Sequence, residues 1–133
     1  MPLFPESTLA MFSDRTPTLE WEDETHWKVA QGFVYTSPTG TVVTVPDGMI
    51  TDLASIPRLF WNIYPPQGPY LPAALVHDYL YASHRAGSDL FTRKQADQIL
   101  LAGMEELGVS WLTQTVVYRA VRLGGWGAWE RQD

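Results

Sequence analysis

Residues 75–100 read LVHDYLYASHRAGSDLFTRKQADQIL, and the parsing of this stretch decides the fold. Apolar residues recur at three- and four-residue spacing on both sides of Gly87. That pattern predicts two helices joined by a short loop and packed as antiparallel neighbours. The first opens at Pro72, whose fixed φ suits a first helical turn, and runs to about Arg85, with Gly87 ending it. The second opens at Thr92 with Gln95 three residues on, a capping-box spacing, and stops at Gly108. A third helix is predicted from Ser110, as N-cap, to Gly124 and Gly125. No further helix is signalled beyond those glycines.

Upstream, residues 26–50 (HWKVAQGFVYTSPTGTVVTVPDGMI) look β-rich. The runs WKVAQGFVYT and TVVTV flank SPTG, whose Pro38 and Gly40 supply turn dihedrals, and VPDGM gives a second turn. An aromatic, proline-punctuated segment with one short helical turn near Pro57 to Trp61 then leads to the helices. Residues 1–20 read as an irregular arm and 21–133 as a single domain. The predicted fold is α+β: a small N-terminal antiparallel sheet or hairpin followed by three helices.

Composition restricts the function classes. The chain has 133 residues, 45% hydrophobic and 18% charged, which describes a globular domain with one core. Six Trp, six Tyr and five Phe predict an aromatic-rich core and contact surface. A net charge of -6 argues against nucleic-acid backbone binding as the main task. Cysteine is absent, so disulfides and Cys-ligated zinc are excluded, and a metal would need His, carboxylate or carbonyl ligands. The first residues do not pattern as a signal peptide, and no apolar run approaches the roughly 18 residues of a membrane span.

The candidate chemistry sits on the helices. His77, Tyr81 and His84 share one face of the first helix, with Asp78 about 100° round from His77. On the second helix Asp97 falls in the apolar stripe with Leu100, Leu101 and Met104. A buried carboxylate needs a partner, because burying it alone costs several kcal/mol. His77 is the natural one. An Asp held against one imidazole nitrogen fixes the tautomer and leaves the other as a general base. The alternative is a hydrogen bond that merely satisfies two buried groups.

Two further readings stay open in the same way. Asp52 either caps a turn or joins His77 and Asp78 around a divalent cation such as calcium, zinc or manganese. Ser55 either caps the short helix starting at Pro57 or belongs to the same site. His84 is a metal-ligand candidate or a half-exposed residue at a helix end, and Arg119 and Arg122 are available to pair with carboxylates of the first two helices.

Two resemblances add expectations. His77-Asp78-x-x-Tyr81 followed by Asp97 resembles the active-site helices of calcium-dependent secreted phospholipases of the A-two class, above all the disulfide-free version in parvovirus capsid proteins. That likeness implies His77 as base, Asp78 as calcium ligand, Asp97 as the residue orienting His77, and Tyr81 as a supporting hydrogen-bond partner. It spans about 25 residues and lacks the family's glycine-rich calcium loop, since YPPQGPYLP offers only Gly68.

The second likeness is broader. DGMITDLASIPRLFW, AALVHDYLY, ADQILLAGMEELG and YRAVRLGGWGAW, in that order from Asp47 to Trp129, resemble the DUF1353 family of small tailed-phage and prophage proteins. It implies a phage origin and a location in the virion or host cytoplasm, but no established reaction. Two functions are therefore expected. One is a metal-assisted hydrolase acting on lipid ester or cell-envelope bonds, with His77 activating water. The other is a non-enzymatic component of the phage particle, at the tail or its tip, whose partners are other particle subunits.

Overall fold

A computed structural model describes residues 11–53 and 68–130. Its elements run β1 (Met11–Phe12), β2 (Leu19–Trp21), β3 (Trp27–Val29), β4 (Phe33–Thr36), β5 (Val42–Val45) and β6 (Ile50–Thr51). They continue with α1 (Leu71–Ser83), β7 (Arg85–Ala86), β8 (Asp89–Leu90), α2 (Arg93–Glu106), α3 (Trp111–Gly124) and α4 (Trp126–Glu130). The fold is α+β.

The expected hairpin is β4–β5, antiparallel, with Thr36 opposite Val42 and Phe33 opposite Val45 across the Ser37–Thr41 turn. Phe33, Tyr35, Val43 and Val45 alternate inward, as period-two patterning requires of a half-buried hairpin. WKVAQGFVYT is two strands and not one. Its first three residues form β3 and pair with β2 and β6 in a second antiparallel sheet, β2-β3-β6, beside β1-β4-β5. The chain breaks at Gly32, where a Cβ would lie 2.2 Å from the Val45 carbonyl oxygen, too close for any side chain. The described part of the N-terminal stretch contributes strands, with β1 on β4 and β2 on β3.

Helix α1 lies at the centre. Pro72, Ala73, Ala74, Leu75, Val76, His77, Leu80 and Tyr81 are all buried, as expected of a helix covered on several sides. It contacts β5, α2 and α4. Ala73 faces Gly103 while Tyr81 faces Asp97, so α1 and α2 run antiparallel. Gly103 allows the close approach: a Cβ there would sit 2.9 Å from Cβ of Ala73 and 3.1 Å from the Phe12 ring.

The cap signals match the expected starts. Pro stands in the first turn of α1, Thr92 and Gln95 form a reciprocal capping box on α2, and the Ser110 hydroxyl accepts the Thr113 N–H on α3. Two ends differ from expectation. Helix α1 stops at Ser83, where His84 takes a left-handed conformation with φ of 58°. Gly87 instead turns the small β7–β8 hairpin. Beyond Gly125 the chain forms α4, giving four helices among the described residues. Five residues are too few to show a helical period, and tertiary contacts of Trp129 hold this segment.

Candidate functional site

Asp97 is where three helices meet. Helix α2 turns it onto α1 as part of the stripe that also buries Ala96, Leu100 and Met104. His77 Nε2 lies 2.7 Å from its Oδ1, and the Tyr81 hydroxyl donates to the same oxygen at 2.5 Å. Arg122, from the last turn of α3, donates to Oδ2 at 2.7 Å. Arg93, one turn before Asp97, holds its guanidinium 3.6 Å from Oδ2 and also donates to the Val121 and Arg122 carbonyls. A cation at the last carbonyls of α3 also meets the negative end of that helix.

The His77 and Asp97 side chains are both 0% exposed. Burial pushes the Asp97 carboxyl up, but the hydrogen bonds from His77, Tyr81 and Arg122 outweigh it and hold the group below the usual carboxylate range. Burial, then the adjacent carboxylate, drives the Tyr81 hydroxyl far upward, so it stays a proton donor. Its hydrogen bond to Asp97 holds the Arg122 guanidinium above its ordinary value. The network is therefore an ionised carboxylate satisfied on both oxygens.

Around this knot the rings are packed tightly. His77 and Tyr81 lie 4.2 Å apart between centroids, and Tyr81 meets Trp129 edge-on at 5.2 Å. Gly125 makes room for Tyr81, since a Cβ there would stand 2.6 Å from the hydroxyl. His84 is separate from the knot. Its Nε2 meets the Trp129 carbonyl oxygen at 2.9 Å, and its ring stacks on that indole at 3.7 Å and 8°.

Asp78 points away from His77, toward the sheet. Its carboxylate accepts a hydrogen bond from the Thr51 hydroxyl, and that same hydroxyl accepts the Leu53 N–H at 3.0 Å. Thr51 thus ties the end of β6 to α1. Asp52 follows it and is half-buried. Ser55 and the helical turn near Pro57 lie outside the described residues. Among the described residues no three His, Asp or Glu side chains are gathered so that they could hold a metal ion.

The structure thus brings His77, Tyr81 and Asp97 together and keeps His84 apart from them. Arg122 joins Asp97, while Arg119 is exposed. Thr51 and Arg93 were not singled out by sequence. A threonine in a strand looks like any other β-former, and the approach of Arg93 to α3 depends on helix packing.

A small α+β domain with a buried His–Asp–Tyr–Arg knot defines the class. The chain belongs to the family described as "Protein of unknown function (DUF1353)", whose model matches residues 27–121. It is also 40% identical over 55 residues to "Uncharacterized protein y4jT" of Sinorhizobium fredii (strain NBRC 101917 / NGR234). That match covers 40% of this chain and 16% of the relative, so the chain spans a small part of that longer protein. No solved structure matches the chain. No helix among the described residues is long and apolar enough to cross a membrane.

Proposed function

We propose that the chain is a non-enzymatic assembly component of a tailed-phage or prophage particle and that the His77–Asp97 knot braces its helices. One observation carries this reading: the pair is closed. Both side chains have no exposed surface, and both oxygens of Asp97 are filled. A general base has to reach a water or substrate proton within hydrogen-bond distance. Exposed large side chains on the C-terminal helices support the same reading, with Trp111 at 75%, Leu123 at 82% and Trp126 at 61% exposure. Aromatic and large apolar side chains in such positions are the usual anchors of protein contacts. The likeness of the Asp47–Trp129 blocks to phage proteins supports placing those contacts in a particle. Quantitative mass spectrometry of purified particles from a host carrying this gene tests it. A fixed copy number per particle supports the assignment, and absence from particles sinks it.

A second reading, a hydrolase acting on lipid ester or cell-envelope bonds, is favoured by one specific feature. His77 and Tyr81 converge on the same Asp97 oxygen, an arrangement that orients an imidazole for base catalysis. In that reading a calcium or zinc ion would sit at Asp78 and Asp52, although the described residues do not form a metal-holding group. Calorimetric titration of calcium, zinc and manganese into wild type and Asp78→Asn tests the metal. Release of fatty acid from phospholipid micelles that is lost in His77→Ala tests the chemistry.

A further inference from the structure

Helix α2 turns Asp97 and Leu100 toward α1 and presents another face to the β4–β5 turn. On that face Gln95, Gln98, Ile99 and Ala102 follow the i, i+3, i+4, i+7 spacing of one helical side. Together with Phe91 and the turn they line an open groove of about 340 Å³. That volume lies at the small end of the roughly 300–1,000 Å³ typical of ligand pockets.

The chemistry of the groove is selective. None of its lining side chains is ionisable, in a chain where 18% of residues are charged. One wall carries the hydroxyls of Ser37, Thr39 and Thr41. Ser37 is buried, its Oγ lies 3.0 Å from Thr39 Oγ1, and it accepts the Thr41 N–H at 3.0 Å, so this wall is internally fixed. The opposite wall carries two carboxamides. Gln95 spends its Oε1 on the Thr92 N–H, which leaves its NH2 as a donor. Among the described residues, the Gln98 carboxamide and the Thr41 hydroxyl make no hydrogen bond to the protein. Phe91 and Ile99, both half-buried, supply apolar surface to the groove.

We propose that this groove binds a neutral saccharide of one or two rings. Sugar hydroxyls both donate and accept, and so do the Thr41 hydroxyl and the Gln98 carboxamide. The C–H face of a pyranose matches Phe91 and Ile99. An acidic or phosphorylated ligand would find no counter-charge among the lining side chains. The proposal is independent of whether the His77–Asp97 knot is structural or catalytic.

The test is an NMR titration of the 15N-labelled full chain with glucose, maltose, N-acetylglucosamine and, as charged control, glucuronate, at low and high salt. Saturable shifts at Thr39, Thr41, Phe91 and Gln98 are expected with at least one neutral sugar, unchanged by salt. Gln98→Ala should weaken binding roughly tenfold, the effect of losing one well-placed polar contact. Ala102→Leu, which fills the groove, should abolish it, and Glu105→Gln should leave it unchanged. Retained amide dispersion in each variant excludes unfolding as the cause. Tighter binding of soluble dextran than of glucose would assign a polysaccharide as the ligand, and equal binding a free sugar. No saturable shift with any neutral sugar, shifts mapping elsewhere, or glucuronate binding as tightly as the neutral sugars would overturn the proposal.

Discussion

Arg122 and His77 hold opposite oxygens of a single carboxylate: Arg122 donates to Oδ2 of Asp97 at 2.7 Å, and His77 Nε2 lies 2.7 Å from Oδ1. Through that group α1, α2 and α3 are tied at one point. Removing the charge leaves a buried imidazole and a guanidinium without their shared acceptor. Asp97→Ala should therefore cost about 3–5 kcal/mol, the range for breaking one side of a buried pair. Urea unfolding followed by tryptophan fluorescence measures it. A loss below about 1 kcal/mol would mean that the network contributes little to the fold.

The same carboxylate sets an acid limit. Its folded-state pKa lies below the ordinary 3.8, so ionised Asp97 contributes stability above that unfolded-state value. The contribution is lost as pH falls from about 3.8 toward the lower folded-state value. Asp97→Asn should be less stable than wild type at neutral pH, and the gap should narrow on acidification through this window. A gap that stays constant across the window would contradict the assignment.

Tyr81 and Gly125 form a second linked pair. Tyr81→Phe removes one charge-assisted hydrogen bond and should cost about 1.5–3 kcal/mol. Gly125→Ala drives a methyl into the Tyr81 hydroxyl and the Val121 carbonyl and should cost about 1–3 kcal/mol. Because both act on Tyr81, the double mutant should be less destabilised than the sum of the singles. Strict additivity would show that Gly125 does not act through Tyr81.

Tyr35 predicts a gain. Its ring is 0% exposed beside Phe12, 4.6 Å between centroids, and among the described residues its buried hydroxyl has no hydrogen-bond partner. Burial also drives that hydroxyl's pKa upward. Tyr35→Phe keeps the packing and removes the unsatisfied group, so stability should rise by about 1 kcal/mol. A thermal melt reads this directly, and a lowered Tm would place a partner on that oxygen.

Thr51 links the sheet to the central helix. Thr51→Val preserves shape but leaves the Asp78 carboxylate and the Leu53 N–H without that hydroxyl, at a cost of about 1–3 kcal/mol. Hydrogen exchange should show faster opening of β6 in the variant while α2 and α3 are unaffected. Uniform acceleration across all elements would instead mean that the link is part of the global core.

What the sequence determined by itself was local. Thr92 with Gln95, Ser110 and Pro72 mark helix starts because caps act within one turn of the chain. Asp97 on an apolar stripe called for a partner, and His77 was the candidate on the neighbouring helix, whereas a role for Tyr81 came only with the phospholipase resemblance. Tertiary structure alone decided the rest. The split of residues 27–36 between two sheets depends on the backbone of Pro46 and Asp47 crowding Gly32, from more than ten residues away. His84 ends α1, and α4 exists, through a ring stack and a carbonyl contact that join residues 84 and 129. Arg93 and Thr51 gain their partners only when α3 docks on α2 and β6 docks on α1. The closure of the knot was likewise invisible in the chain. Periodicity shows which face of a helix turns inward, but whether water reaches a side chain depends on everything packed above it.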